Sequence, residues 1–367
     1  MFTESDRSYM ARALELAERG LYTTTPNPRV GCVIVRDGAV VGEGWHARTG
    51  EAHAETIALQ AAGDRAAGAT AYVTLEPCDH HGRTPPCSDG LIRAQLGRVV
   101  TAMQDPNPLV AGKGLEKLRA AGIAAESGLM ETEARELNIG FISRMTRSRP
   151  WVRMKIAASL DGRTALANGK SQWITGPEAR RDGHRWRARA CAVLTGVGTV
   201  KDDDPQLTVR DVETPRQPLR VVVDSRLETP ASARVLGAGT LIAAAARDAA
   251  RARALEARGA EIVVLPNESG KVDLAALMRE LARRELNEVH VEAGFKLNGS
   301  LLRENLVDEL VVYLAPHVIG DAAQGMFHLP GLEDLSARRE LDLREVRTVG
   351  NDIRLSARVC SPDSSPR

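Results

Sequence analysis

Apolar and polar residues follow two recurring patterns along this chain. Apolar side chains recur at helical spacing over residues 6–19, whereas residues 30–35 form a short and almost continuously apolar run. The first pattern is typical of a helix packed on one face, and the second is typical of a buried strand. Because the two patterns alternate over most of the chain, the sequence predicts an α/β protein with layered domains.

The first part of the chain predicts a β-α alternation that begins after the helix over 6–19. A Pro-rich loop over 23–28 leads into the strand over 30–35, and Asp37-Gly38 predicts a hairpin turn before a second strand that ends near His46. The remaining predicted elements are a helix from His53, a strand over 70–75, a helix from Cys87, a strand over 98–102, and helices around 112–121 and 131–143.

A second β-α alternation starts after a polar, basic stretch over 143–150. Its predicted elements are a strand over 151–158, a sharp turn over 159–163, a helix opened by Pro177, strands over 191–194 and 219–224, and a strand over 288–292 that empties into Ala293-Gly294. We therefore predict a first domain over 1–145, a linker over 146–150, a second domain over 151–360 and a disordered tail over 361–367.

Composition narrows the classes of protein to which the chain can belong. A length of 367 residues suits two domains, and a formal net charge of +1 with 3% aromatic residues argues against a nucleic-acid or membrane surface. No apolar run reaches the length of a membrane span, and the acidic N-terminus does not resemble a signal peptide. An odd count of five cysteines favours a reduced, cytoplasmic protein.

His53, Cys78 and Cys87 form the most specific chemical pattern in the sequence. One imidazole and two thiols make a three-ligand zinc site that leaves a fourth position for water. Glu55, two residues after the histidine, is placed to move protons for that water. The H-x-E…P-C order is the signature of zinc-dependent base deaminases. The alternative is a structural zinc site that takes His80 or His81 as a fourth ligand.

The two cysteines are separated by a long insert that carries His80, His81 and Arg83, whereas base deaminases usually have P-C-x-x-C. This polar and cationic insert predicts a pocket for a ring that bears an anionic group. Asn27 and His46 are further candidates for contact with the ring. On spacing alone, Asn27 is equally well explained as a turn residue between prolines.

Two glycine-bearing loops follow predicted strands in the second domain, Gly196-Val197-Gly198 and Ala293-Gly294. Such loops can bring backbone N–H groups close to phosphate oxygens, although tight turns explain them nearly as well. The first loop lacks the third glycine of G-x-G-x-x-G, so a Rossmann dinucleotide fold is not supported.

These motifs together resemble the bifunctional deaminase/reductase family of bacterial riboflavin biosynthesis. The resemblance rests on Asn27–Gly31, His53–Glu55 and Thr74–Cys87 in the first domain, and it covers nearly the whole chain except the tail. In the second domain it rests on Lys155, Ser159–Arg163, Ser171–Thr175, Thr195–Thr199, Asp203–Pro205, Leu207–Arg210 and Glu292–Gly294.

The resemblance implies a cytidine-deaminase-like, three-layer N-terminal domain and a dihydrofolate-reductase-like C-terminal domain. It implies Zn²⁺ and NADPH as cofactors and 2,5-diamino-6-(5-phosphoribosylamino)pyrimidin-4-one as the small-molecule substrate. Hydrolytic deamination of the 2-amino group would give the uracil, and reduction would convert the ribosyl group to ribityl. A homo-oligomer is expected, with no nucleic-acid or membrane partner.

The resemblance also assigns residue roles. In the deaminase, zinc would be held by His53, Cys78 and Cys87, protons would be moved by Glu55, and the substrate would be bound by Asn27, His46, His80 and Arg83. In the reductase, the substrate would be bound by Lys155, Ser171, Arg187, Leu207, Arg210 and Glu292. The cofactor would be bound by Ala157, Thr164, Ala165, Leu166, Ala167, Trp173, Thr199, Asp203, Ser225, Gly294, Phe295, Lys296, Leu297, Asn298, Gly299 and Ser300.

The planar fork of arginine suits phosphate, so Arg187 and Arg210 are the preferred phosphate ligands, although lone arginines are more often surface residues. Lys155, expected at the end of a buried strand, would orient or protonate the sugar oxygen, and the alternative role for this residue is a structural ion pair.

The sequence departs from the family pattern at two positions, Cys191 and Lys201. The rival functions are a nucleic-acid deaminase and a deaminase fused to an inactive nucleotide-binding domain.

Overall fold

The computed structural model describes residues 1–80, 85–108 and 110–360, so the predicted substrate residue Arg83 and the predicted tail over 361–367 lie outside the described residues. The chain divides into two compact units, Met1–Arg149 and Pro150–Arg367. In the described part of the chain, no helix is both long enough and apolar enough to cross a membrane.

The first unit alternates helices and strands as the hydrophobic pattern predicts. Its helices are α1 (Glu4–Glu18), α2 (Ala54–Ala62), α3 (Cys87–Arg93), α4 (Lys113–Ala120), α5 (Glu131–Leu137) and α6 (Ile139–Arg147). Its strands are β1 (Gly31–Arg36), β2 (Ala39–Trp45), β3 (Thr70–Val73), β4 (Arg98–Thr101) and β5 (Ala124–Ser127).

The five strands form one sheet in the order β2-β1-β3-β4-β5. β1 is antiparallel to β2 and β3, and β3, β4 and β5 are parallel. Asp37 and Gly38 both have positive φ, at 51° and 76°, which suits the predicted two-residue hairpin turn. Helices α2, α3 and α4 pack on one face, and α1 and α5 pack on the other, so the predicted three-layer arrangement is confirmed.

Helix α6 corrects part of the predicted linker. The stretch over 143–150 has no apolar periodicity, yet α6 continues to Arg147 and ends where Ser148 adopts a left-handed φ of 54°. Ser143 is buried, and its hydroxyl donates to the carbonyl oxygen of Arg149 over 2.7 Å. Local hydrogen bonds of this kind do not require a hydrophobic pattern, so the sequence pattern does not predict the helix here.

The second unit contains one large sheet and five helices in its described part. Its strands are β6 (Trp151–Ser159), β7 (Arg163–Ala165), β8 (Ala192–Gly196), β9 (Leu219–Val223), β10 (Thr240–Ala244), β11 (Ala260–Val264), β12 (Glu288–Val291), β13 (Glu309–Ala315), β14 (Gln324–Gly325), β15 (Leu341–Val349) and β16 (Asp352–Val359). Its helices are α7 (Pro177–Arg189), α8 (Val197–Asp203), α9 (Ala249–Glu256), α10 (Leu274–Arg283) and α11 (Phe295–Arg303).

Nine strands of this unit are ordered β11-β10-β9-β8-β12-β6-β13-β16-β15. They are parallel from β11 to β13, and β16 and β15 add an antiparallel edge. α10 and α11 pack on one face, whereas α8 and α9 pack on the opposite face. Adjacent parallel strands β8 and β12 are therefore followed by helices on opposite faces, which creates a crevice at their carboxyl ends.

Candidate active sites

Three predicted metal ligands meet in the first unit. The ligand atoms of His53, Cys78 and Cys87 all lie within 4.8 Å of one another. His53 Nδ1 is 3.2 Å from Cys87 Sγ and 3.6 Å from Cys78 Sγ. One nitrogen and two sulfurs at this spacing fit Zn²⁺, which accepts that donor set with a fourth position left for water.

Each of the three candidate metal ligands lies at or next to the start, or after the end, of a helix or strand. His53 is the N-cap of α2, Cys78 follows β3, and Cys87 is the first residue of α3. Helix α2 approaches the sheet closely because β2 contains Gly42 and Gly44. A Cβ at these positions would lie 2.2 Å from the Ala58 carbonyl oxygen and 2.4 Å from that of Ala54.

Glu55 lies in the first turn of α2 and is only 4% exposed. Burial, followed by the charge of Cys78, raises the pKa of its carboxyl to about 7. A hydrogen bond from Cys87 lowers the pKa of the Cys78 thiol, and His53 contributes in the same direction. The site thus combines a thiolate that is ready to bind metal with a carboxyl group whose pKa suits proton transfer near neutrality.

Asn27 and His46 stand beside the metal ligands. Asn27 Nδ2 lies 3.0 Å from His46 Nε2, and His46 Nδ1 lies 3.1 Å from the Ala52 carbonyl oxygen. The His46 ring meets the His53 ring edge-on, with centroids 5.3 Å apart. The structure therefore brings both predicted ring contacts to the cluster. Asn27 thus has a side-chain partner in His46 in addition to the turn in which its backbone N–H donates to the Thr24 carbonyl oxygen.

The insert between the cysteines is described only in part. His80 is exposed, and Arg83 and His81 lie outside the described residues. Asp79 accepts from Lys117 Nζ over 2.6 Å and from the Ser88 hydroxyl over 2.6 Å. These bonds fix the start of the insert against α4 and α3.

Two buried acidic residues near the metal ligands, Glu76 and Asp105, are not among the predicted site residues. The carboxylate of Glu76 accepts backbone N–H bonds from Asp105, Gly112, Gly114 and Leu115 over 2.9–3.2 Å. This clamp holds Asp105, which is 9% exposed, and burial raises the pKa of the Asp105 carboxyl to about 6. Glu76 belongs to the Thr74–Cys78 motif, but its partners lie far along the chain, so sequence spacing gives no signal for them.

In the second unit, Arg187 and Glu292 form a bidentate ion pair. Arg187 lies on α7, and Glu292 directly follows β12; Nη2 donates to Oε2 over 2.8 Å, and Nε donates to Oε1. Although burial opposes ionisation, Arg187 keeps the pKa of Glu292 well below its ordinary value.

Lys155 lies near this pair, with its Nζ 5.9 Å from the centroid of the Tyr313 ring. Burial lowers the pKa of Lys155. Its position corrects one expectation: Lys155 stands in the middle of β6 and not at the end of the strand. The predicted strand over 151–158 agrees with this position, because β6 runs from Trp151 to Ser159 between its neighbours β12 and β13.

Ser171 and Asp203 are also brought together. The Ser171 hydroxyl donates to Asp203 Oδ1 over 2.9 Å, which joins a predicted substrate ligand to a predicted cofactor ligand. Thr164, on β7, donates to the Gly325 carbonyl oxygen over 3.1 Å. Ala165 ends β7, and Leu166 and Ala167 follow it.

The two glycine loops meet at the crevice between β8 and β12. A Cβ at Gly196 would lie 3.2 Å from Leu297 Cδ2, and one at Gly294 would lie 3.7 Å from Thr199 Oγ1. Within the described residues, neither the start of α8 nor the start of α11 is capped by a side chain. Backbone N–H groups from two helices therefore face one crevice, an arrangement that fits the diphosphate of NADPH.

The other predicted cofactor residues are more widely placed. Ala157 lies on β6, Trp173 is 70% exposed under the Arg180 guanidinium, and Ser225 follows β9 with its hydroxyl accepting from Val272 N–H over 3.1 Å. Phe295, Lys296 and Ser300 lie along α11. Asn298 and Gly299 pack away from the helix start, since Asn298 donates to Met326 O and a Cβ at Gly299 would lie 2.1 Å from His328 O.

Comparison with known proteins gives two domain matches. Residues 3–103 match the cytidine and deoxycytidylate deaminase zinc-binding region, and residues 150–355 match the RibD C-terminal domain. The solved structure of Acinetobacter baumannii RibD is 43% identical, with a TM-score of 0.91, and the match covers 98% of this chain and 99% of that one.

Relatives match over nearly their full length. The riboflavin biosynthesis protein RibD of Escherichia coli K12 is 51% identical, with 95% of this chain and 98% of the relative covered. A Thermotoga maritima structure, titled a diaminohydroxyphosphoribosylaminopyrimidine deaminase/5-amino-6-(5-phosphoribosylamino)uracil reductase, is 34% identical with a TM-score of 0.86, covering 97% of this chain and 99% of that chain. The chain therefore belongs to the RibD family, the two-domain enzymes of riboflavin biosynthesis that join a zinc-dependent deaminase to an NADPH-dependent reductase.

Proposed function

We propose that the first unit deaminates 2,5-diamino-6-(5-phosphoribosylamino)pyrimidin-4-one to 5-amino-6-(5-phosphoribosylamino)uracil. The observation that carries this proposal is the convergence of His53, Cys78 and Cys87 beside the buried Glu55. When bound there, zinc lowers the pKa of a water molecule to near neutrality. Water enters at the ring carbon, and ammonia leaves from the same carbon.

Glu55 is the proton carrier of this step. Its carboxylate accepts one proton from the attacking water and passes it to the ring nitrogen. It then accepts the second proton from the new hydroxyl and gives it to the amino group, which leaves as ammonia. A pKa of about 7 lets the group take up and release a proton without a large energetic cost in either direction. The buried first turn of α2 holds Glu55 next to the ligand His53.

Asn27, His46, His80 and Arg83 hold the substrate in this proposal. Asn27 and His46 are supported by their mutual hydrogen bond and by the contact of His46 with His53. With Nδ1–H donating to Ala52 O, the His46 ring accepts at Nε2, and the Asn27 amide oxygen stays available to the pyrimidine. His80 and Arg83 belong to the insert, whose cationic character suits the phosphate of the substrate.

We propose that the second unit reduces the ribosyl group of the deaminated product to ribityl. NADPH supplies the hydride, which adds to C1 of the ribosyl group while the bond from C1 to the sugar-ring oxygen breaks, and the released oxygen takes a proton to become a hydroxyl. Lys155 is the proposed donor or orienting cation, because burial lowers its pKa and thereby favours release of a proton. Of the two arginines preferred for the phosphate, Arg210 is exposed and is proposed to bind it, whereas Arg187 donates to Glu292 and to the Thr208 carbonyl oxygen. Arg187, Glu292, Ser171 and Leu207 complete the proposed substrate site.

The crevice between α8 and α11 is the proposed NADPH site. Thr199, Asp203 and the residues from Gly294 to Leu297 lie on or beside these two helices, and the proposal also keeps Asn298, Gly299 and Ser300 further along α11. The remaining proposed contacts are Ala157, Thr164, Ala165, Leu166, Ala167, Trp173 and Ser225.

One assay tests both halves of the proposal. Zinc-loaded protein is supplied with the diaminopyrimidine substrate and NADPH, and products are identified by mass spectrometry. Loss of one amino group with release of ammonia, followed by uptake of two hydrogens coupled to NADPH oxidation, is the expected sequence. Deamination without NADPH oxidation would instead favour an inactive nucleotide-binding second unit.

We further propose a homo-oligomer that pairs through β15. This terminal strand of the nine-stranded sheet presents Leu341, Leu343 and Val346, which are 47%, 57% and 56% exposed. An exposed edge strand of this kind is a template for pairing with another copy. Leu343→Lys should shift the protein to a smaller species in light scattering. An unchanged mass would exclude this edge as the interface.

The proposed functional domains over 1–145 and 151–360 agree in number and order with the compact units Met1–Arg149 and Pro150–Arg367. A cytoplasmic location is part of the same proposal, because Cys78 and Cys87 must remain reduced to bind zinc. Cell fractionation tests this location directly.

A further inference from the structure

The backbone of residues 208–210 is held by three side chains. The Thr208 carbonyl accepts from Arg187 Nη1 over 3.0 Å. Gln217 accepts from Val209 N–H over 2.8 Å and donates to the Val209 carbonyl over 3.1 Å. Arg210 N–H donates to His184 Nδ1 over 3.3 Å. Residues 204–210 belong to no helix or strand, so these side chains take the place of a sheet ladder.

His184 is the least expected member of this clamp. It lies on α7 one turn before Arg187, is 7% exposed, and places Nε2 3.4 Å from Asp211 Oδ2. Because Nδ1 accepts the Arg210 N–H bond, the network assigns the neutral ring with its proton on Nε2, facing Asp211. His184 and Arg187 thus hold the same segment from one face of α7.

The backbone of residues 208–210 determines the position of the Arg210 side chain. Its guanidinium Nη1 donates to Gln206 Oε1 over 3.1 Å and to Thr208 Oγ1 over 3.2 Å, and its side chain is exposed. Leu207, immediately before residues 208–210, is 2% exposed and has a left-handed φ of 54°. A buried anchor at one end and a hydrogen-bonded N–H at the other therefore determine where the guanidinium stands.

We propose that His184 is a positioning residue of the reductase, which fixes Arg210 for the phosphate of the substrate through the Nδ1 acceptor. The inference rests on the proposed function, in which Arg210 binds that phosphate. His184 itself touches neither the substrate nor the cofactor. Its effect should therefore appear in the KM of the substrate more than in kcat.

A matched pair of substitutions separates this role from packing. In His184→Asn, the amide oxygen occupies the place of Nδ1 and can still accept from Arg210 N–H. In His184→Leu, a methyl group stands at that place and cannot. A purely structural role would make the apolar leucine at least as acceptable as asparagine in this buried position.

The experiment measures NADPH-dependent reduction of 5-amino-6-(5-phosphoribosylamino)uracil. His184→Leu should raise KM by about five- to tenfold with a small change in kcat, as expected for one lost hydrogen bond. His184→Asn should stay within about twofold of wild type. In both variants, ammonia release should be unchanged, and unchanged NADPH affinity by fluorescence should show that the second unit is folded. His184→Ala replaces His184→Leu if the latter fails to bind NADPH.

A double-substitution cycle tests whether the effect passes through Arg210. If it does, His184→Leu combined with Arg210→Ala should have the same KM as Arg210→Ala alone. A wild-type KM in His184→Leu, or multiplication of the two effects in the double variant, would overturn the positioning role alone. A wild-type KM in Arg210→Ala would overturn the phosphate assignment and this inference with it.

Discussion

Asn27 Nδ2 donates to His46 Nε2 over 3.0 Å, and the His46 ring in turn packs edge-on against the metal ligand His53. This pair links a loop that precedes β1 to the first turn of α2. A residue that the sequence leaves ambiguous between a turn and a ligand thus contacts a histidine that packs against His53, which supports its proposed role in binding the substrate.

Asn27→Leu removes that donor and the amide oxygen proposed to meet the pyrimidine. The loss of one to two hydrogen bonds predicts a fall in deaminase kcat/KM of roughly 10- to 100-fold, at about 1–3 kcal/mol. Ammonia release measures the effect, and zinc content should be retained. Reduction of the uracil intermediate by the same preparation serves as the control. Wild-type deamination by this variant would remove Asn27 from the site.

Chelation separates the two activities. Removal of zinc should abolish ammonia release, whereas reduction of supplied 5-amino-6-(5-phosphoribosylamino)uracil should continue, because His53, Cys78 and Cys87 all lie in the first unit. Ammonia detection and NADPH absorbance follow the two reactions in one sample. Restoration of ammonia release by added zinc is the control for irreversible damage. Equal loss of both activities would argue against separate sites.

Glu292→Gln should damage the reductase and the stability of the second unit together. The Arg187 guanidinium, whose side chain is 14% exposed, would lose the carboxylate that compensates its burial. We expect at least tenfold slower reduction and a decrease of about 3 kcal/mol in the free energy of unfolding. Denaturant unfolding measures the second effect.

The exposed pair Arg247–Glu256 provides a matched control for Glu292→Gln. Its side chains are 49% and 37% exposed, so Glu256→Gln should change the free energy of unfolding by less than about 1 kcal/mol. Equal effects from the buried and the exposed substitution would contradict the importance given to the Arg187–Glu292 pair.

The lowered pKa of His184 predicts that folding stability decreases in acid. Burial, followed by the charge of Arg187, lowers the pKa of its imidazole to about 4, while Asp211 and Glu292 act in the opposite direction and Arg210 adds to the lowering. Between the ordinary histidine pKa and pH 4, the unfolded chain binds a proton that the folded chain does not. Folding stability should therefore fall as the pH is lowered through this window.

The loss expected from His184 reaches about 3 kcal/mol at pH 4 and is absent at pH 8. Comparison of the unfolding free energies of wild type and His184→Asn at several pH values isolates the contribution. The difference between the two proteins should shrink or reverse on acidification. Parallel pH curves would show that His184 titrates normally in the folded state.

The sequence predicts those parts of the molecule that local patterns specify. The hairpin at Asp37-Gly38, the helix opened by Pro177 and the approach of His53 to Cys78 and Cys87 all follow from short motifs. The Glu76 clamp is not predictable in this way, because its four N–H donors lie 29–39 residues away.

The clamp on residues 208–210 escapes prediction for a related reason. It depends on the left-handed backbone of Leu207 and on side chains from α7 and from Gln217, which only the fold brings to the same segment. Lys155 stands in the middle of β6, as the predicted strand over 151–158 already implies, so the sequence itself is sufficient to correct its expected place at a strand end.

Zinc content measured together with ammonia release in Glu55→Gln and Cys78→Ser tests the central claim most directly. Glu55→Gln should keep about one zinc per chain yet lose deamination by about 10²- to 10⁴-fold, the usual contribution of a positioned acid-base group. Cys78→Ser should lose both metal and activity. Full ammonia release by Glu55→Gln, or a zinc-free wild-type protein that still deaminates, would contradict the account.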